Sequence, residues 1–274
     1  MMNDRQLLII RILAVVLMAL LTVVSFFGAF VKDTYSRDVA SMAAQGMGQD
    51  LVNLFIIVPL LLVSLIHLQK NSKTATFVFG GTVLYILYSF TIYSFGVHFN
   101  NMFLLYCLIL GCSFYLFIYY IISLNTLGVK KWFEDRIPVK TTGVYFIIVA
   151  AMFYFLWLSD IAPAIINNST PKTVSEYDLL VNPVHVMDIA IVLPGLIITA
   201  ILIMRRIQLG FVFAPILLVF TILLTIALAA MVIALQFKNI ADDSFVAGIF
   251  GVLAVISFVF LSLFLRKIKK GIAL

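Results

Sequence analysis

Long apolar runs separated by polar gaps divide the chain into eight segments, at approximately 6–31, 51–69, 74–97, 101–124, 141–162, 184–204, 210–236 and 244–265. Each reaches or approaches the roughly 20 residues an α-helix needs to cross about 30 Å of hydrocarbon. Lipid cannot satisfy backbone N–H and C=O groups, so helices are the expected spanning form. The pattern predicts an all-α integral membrane protein, a single polytopic domain (1–274) of eight transmembrane helices. The first run is much longer than the apolar core of a cleaved signal, and reads as a retained anchor.

The gaps carry orientation. Counting Lys and Arg along the chain, fourteen fall on one side (Arg5, Arg11, Lys70, Lys73, Lys130, Lys131, Arg136, Lys140, Arg205, Arg206, Arg266, Lys267, Lys269, Lys270) and four on the other (Lys32, Arg37, Lys172, Lys238). The basic side is expected in the cytoplasm, with both termini there, in a plasma membrane. Acids show the opposite bias: Asp4, Glu134 and Asp135 are inside, whereas Asp33, Asp38, Asp50, Asp160, Glu176, Asp178, Asp188, Asp242 and Asp243 are outside or at the outer rim. The gaps after the first and fifth spans read as outer loops of about twenty residues. The basic 125–140 stretch reads as an interfacial turn ended by Pro138.

Composition narrows the class. With 64% hydrophobic and 11% charged residues, the chain lies far from soluble domains, where charged residues run near 25%. The net charge of +6 is scattered over basic gaps that face lipid headgroups, so no nucleic-acid partner is expected. Cys107 and Cys112 are five apart in one run, on different helix faces, and imply neither a disulfide framework nor a metal site. No G-x-S-x-G, Walker or dinucleotide-binding motif occurs, and no gap could house a nucleotide domain.

A shift of 135 residues aligns two regions. Asp50-Leu-Val-Asn53, with Pro59 six further on, faces His185-Val-Met-Asp188, with Pro194 six further on, and Lys70 then falls on Arg205. Apolar helices match easily by chance. The alternation of loop lengths agrees with the shift, however, and the two together point to a 4+4 parallel tandem repeat with halves 1–125 and 140–274.

Candidate chemistry gathers near the outer face. Asn182 and Pro183 form a helix start, and His185 and Asp188, three apart, share one helix face. An acid inside a span is costly against lipid and should face the bundle or a wet cavity. Asp50 and Asn53 would be its counterparts in the first half, and Asp160 closes the fifth span after Trp157, read here as a belt residue. Tyr85, Tyr88 and Tyr93 recur near helical spacing before a turn bearing His98 and Asn100, and the deeper hydroxyls need partners. These residues define a candidate substrate or ion pathway, against the alternative of caps and packing. The inventory could hold a divalent metal, but without H-E-x-x-H or clustered His no cofactor is predicted.

Three functions fit this pattern. The leading one is a secondary transporter of a small solute or cation; the alternative is a membrane-embedded enzyme acting on a lipid or cell-envelope substrate at the outer leaflet. A non-catalytic ligand sensor or assembly partner is the third.

Overall fold

The computed structural model describes residues 2–241 and 244–269, so Asp242, Asp243 and Lys270 lie outside the described residues. Eight described helices are long and apolar enough to cross a membrane: α1 (Asp4–Phe30), α2 (Ala40–Gln69), α3 (Lys73–Gly96), α4 (Phe103–Asn125), α5 (Val139–Ile166), α6 (Pro183–Met204), α7 (Gln208–Phe237) and α8 (Ser244–Leu265). Their starts follow from local chemistry. Asn3 and Gln6 close a capping box on α1, Ser72 caps α3, and Asn182 accepts from Val184 N–H at the start of α6.

One boundary differs from expectation by eleven residues. α2 begins at Ala40, not near 51, so the first long loop shrinks to 31–39. The added segment, Ala40-Ser-Met-Ala-Ala-Gln-Gly-Met-Gly-Gln49, has weak hydropathy but good helix formers, and its small face packs on α7. Asp50 therefore lies ten residues into a helix, about 15 Å along its axis at 1.5 Å per residue.

α3 and α7 form the centre. Their most apolar windows are 72% and 50% buried, against 39% or less for the other six. They touch where Gly81 meets Val219 and the Ile216 carbonyl, an approach that any side chain at 81 would block. Around this pair, α1 packs on α2 and α4, and α4 on α3; α5 packs on α6, and α6 and α8 on α7. Tyr145 reaches Ser257 at 2.6 Å to join α5 to α8. The first part of α2 crosses onto α7, and the first turns of α6 cross onto α3.

Two polar ends result. At one, His98 joins Asp38 and Asp178, and Arg37 donates to the Phe99 carbonyl at 2.9 Å. At the other, Arg206 donates to the Asp135 carbonyl at 2.8 Å and Lys267 meets Glu134 at 3.4 Å. The 125–140 stretch is more than a surface turn. A 3-10 turn at Val129–Trp132 drives Trp132 and Phe133 inward, where Phe133 packs on Phe77, Phe211 and Phe264 at centroid distances of 5.8, 5.7 and 4.9 Å. Burial of these two large rings outweighs the pull of the neighbouring lysines toward water.

Helices α2 and α6 each carry one π segment, Asn53–Ile57 and Asp188–Val192, two residues before Pro59 and Pro194. A proline ring clashes with the carbonyl four residues back and offers it no N–H; widening one turn relieves that conflict. The widened turns close through Val58 N–H to the Asn53 carbonyl and Leu193 N–H to the Asp188 carbonyl. Proline alone does not dictate this, because Pro163 and Pro215 sit in helices that stay regular.

Candidate polar site

His185 and Asp188 are both buried, at 5% exposure, on one face of α6. Asp188 accepts hydrogen bonds from the Trp157 indole N–H (2.8 Å) and the Tyr88 hydroxyl (2.9 Å). Trp157, read from the sequence as a belt residue, also ties α5 to α6, and its ring lies 4.8 Å from that of His185. Neutral donors hold the carboxylate, and no described Lys, Arg or His forms an ion pair with it. The His185 Nε2 atom is buried without a hydrogen-bond partner, which makes it the obvious free valence of the cluster. Asp160 is engaged elsewhere, accepting from Lys172 N–H (3.1 Å) and the Thr173 hydroxyl (2.6 Å) at the start of the short Lys172–Glu176 helix.

A second cluster surrounds Asp50, which is fully buried. The Tyr35 hydroxyl donates to it at 2.5 Å and the Asn53 amide at 3.5 Å, while the Ser25 and Tyr93 hydroxyls face it. Gly28 of α1 abuts the carboxylate so closely that a Cβ there would collide with it. Burial, and next the adjacent Asp50, push the Tyr35 hydroxyl well above its ordinary pKa, so this loop residue remains a neutral donor.

The tyrosine stripe of α3 joins the two clusters. Tyr85 donates to Asn53 (3.3 Å) and Tyr88 to Asp188, so neighbouring turns of one helix serve both α2 and α6. Tyr93 reaches the Gly46 carbonyl at 3.4 Å. His98 stands apart, held at the bundle end by the Asp38 carboxylate at 3.0 Å, and Asn100 donates to the Tyr106 hydroxyl at 3.2 Å. The ten residues singled out from the sequence therefore form two buried sites and an end network, with Asp160 apart from all three, and not one constellation.

A lateral groove runs beside the second site. Its deeper part, about 830 Å³, lies between α3, α4, α6 and α7 and is walled by Leu87, Phe117, Ile191 and Phe213 among other apolar side chains. Tyr88, Thr91, Tyr115 and Thr199 are its polar members. A further space of about 570 Å³ shares Thr91, Phe95 and Met187 with it and ends at His98 and Asp178. The two spaces adjoin at these shared residues, and His98 and Asp178 give the second a polar edge.

Sequence reasoning missed Tyr35, Ser25, Gly28 and Tyr106. Tyr35 and Tyr106 carry no periodic signal, and a lone Gly beside an unseen carboxylate is invisible without the fold. Among the described residues, no three His, Cys, Asp or Glu side chains converge as a bound metal would require. No protein-family model, curated protein or solved structure matches this chain.

Proposed function

We propose that this multi-pass membrane protein takes an amphiphile, a lipid or cell-envelope intermediate, laterally from the bilayer and acts on its polar end at the outer leaflet. The observation that carries this reading is that Tyr88 both lines the apolar groove and donates to Asp188. The greasy trough and the buried acid share one wall. A small hydrophilic solute would gain nothing from such a floor, whereas an alkyl chain passes from lipid into it without leaving an apolar setting.

In this reading Asp188 is the proton acceptor. A substrate hydroxyl at the Tyr88 oxygen passes its proton to that oxygen, while Tyr88 hands its own to the carboxylate. Trp157 fixes the carboxylate's orientation.

Transport of a small solute or cation is the second reading, and one specific pattern favours it. The two π segments, their prolines and the turns that follow recur at 135 residues, as parallel halves would require, and acids sit in both. The basic ends of the chain are assigned to the cytoplasm of a plasma membrane, by the fourteen-to-four bias. Reporter fusions at 165–180 should read as external, and those at 127–138 as cytoplasmic.

The groove supplies the test. Gly111 and Gly195 both line it, and a Cβ at either meets nothing within 4 Å. Gly195→Trp should fill the trough without disturbing packing. Mass spectrometry of lipids retained by the purified protein should show one amphiphile class lost in Gly195→Trp. Unchanged lipid content, together with solute flux in vesicles, would favour the transporter.

A further inference from the structure

Asp50 is the only described acid that is wholly enclosed, and no cation faces it. The elements packed around it present neutral groups: Ser25 and Gly28 from α1, Tyr35 from the loop, Asn53 from α2, Tyr93 from α3. Tyr85 of α3 and Tyr106 of α4 are the remaining titratable groups within its influence. The Ser25 hydroxyl is fully buried, unpartnered and beside the carboxylate. An acid in hydrocarbon with no counter-cation needs a bound positive charge for part of its working cycle.

The geometry points to Asp50 as a proton-binding site loaded from the His98–Asn100 end of the bundle through a line of tyrosine hydroxyls. A proton fits where a metal cation does not, because Gly28 leaves no space on its side of the carboxylate for even a methyl group. The route starts in a surface pocket of about 380 Å³ lined by Asp33, Arg37 and Asn100. Asn100 holds the Tyr106 hydroxyl at 3.2 Å, and Tyr106 packs edge-on against Tyr93 with centroids 5.5 Å apart. Tyr35, beside Tyr106 but not hydrogen-bonded to it, completes the line across one gap, donating to Asp50 at 2.5 Å. Each hydroxyl accepts a proton on its oxygen and releases its own on the far side, so the net change is one proton gained by the carboxylate. This site deepens the reading above by giving the first half an acid of its own; its direction of loading rests on the topology proposed there.

A protonated carboxyl group shows an infrared C=O stretch that its carboxylate form lacks, and reading it requires no reagent to enter the enclosed site. Full-length protein reconstituted in vesicles should show such a band, missing from Asp50→Asn, stronger at about pH 5.5 outside than at about pH 8.5, since the protonated fraction follows the pH the site senses. Tyr106→Phe keeps the ring against Tyr93 and should slow the response to external pH several-fold, with Tyr35→Phe doing the same. Gly195→Trp should leave the Asp50 band untouched, which separates this site from the groove. The proposal is overturned if no band is lost in Asp50→Asn at any pH, if the band follows the internal pH instead, or if neither tyrosine variant changes its rate.

Discussion

Asn53 and Asp188 stand 135 residues apart, and each opens a π segment that ends just before a proline. The correspondence continues beyond them. Asn71 and Arg206, again 135 apart, both take left-handed backbone (φ 60 and 55), and α3 and α7 restart at Lys73 and Gln208. Ser72 N–H bonds the His67 carbonyl just as Ile207 N–H bonds that of Leu202. Backbone irregularities of this kind carry more weight than apolar identities, because each needs its own physical cause. Asn53 and Asp188 also receive equivalent service, each accepting from a tyrosine of α3.

If Pro194 causes the π turn, Pro194→Ala should let α6 relax toward a regular helix. Losing one inserted residue rotates the preceding turn by about 100° and carries Asp188 away from Trp157. In a Trp132→Phe background Trp157 is the sole tryptophan. Its emission should shift when the indole N–H loses the carboxylate, and Pro215→Ala should leave it unchanged.

Trp157→Phe and Tyr88→Phe each remove one of the two donors to Asp188. Leaving a buried carboxylate half-satisfied should cost about 1–3 kcal/mol in either variant. Asp188→Asn should cost less, since the amide keeps an acceptor for one donor and carries no charge. Thermal unfolding in detergent, followed with each variant singly, checks the order.

His98 tests which of its two acids matters. Asp38 is 2% exposed at 3.0 Å, and Asp178 is 82% exposed at 3.8 Å. Solvent screens the second contact, so Asp178→Asn should leave stability unchanged within error. Asp38→Ala strands the half-buried His98 backbone N–H, which donates to it at 3.0 Å, and should expose the 31–39 loop to protease.

The sequence made the eight spans legible because apolar length and charge alternation are strong, local signals. It failed at 40–50, where Ala, Gly, Met and Gln build a helix whose small face needs protein, not lipid. The same failure hid the depth of Asp50, read as a rim residue when its helix seemed to start there. His185 and Asp188 were legible from their three-residue spacing after a cap. Their partnership with Trp157 was not legible, because only the placement of α5 beside α6 brings the indole to the carboxylate. Asp160 looked equally promising in sequence, but a loop helix twelve residues on claims both its oxygens.

Gly28 gives the sharpest check on the first-half site. A Cβ at this position would collide with the Asp50 carboxylate and come within 2.7 Å of the Tyr35 oxygen. Neither neighbour is free to move: Asp50 is fully enclosed, and Tyr35 is buried against it. Gly28→Ala should therefore destabilise the protein by about 1–3 kcal/mol through overpacking, despite alanine's better helix propensity. Asp50→Ala alone should also cost stability, because it strands the Tyr35 hydroxyl in an apolar setting. The two together should cost less than their sum, since the methyl then occupies space the carboxylate has vacated. Melting temperatures for both single variants and the double variant measure that coupling. Strict additivity would mean that Gly28 and Asp50 do not share the space assigned to them here.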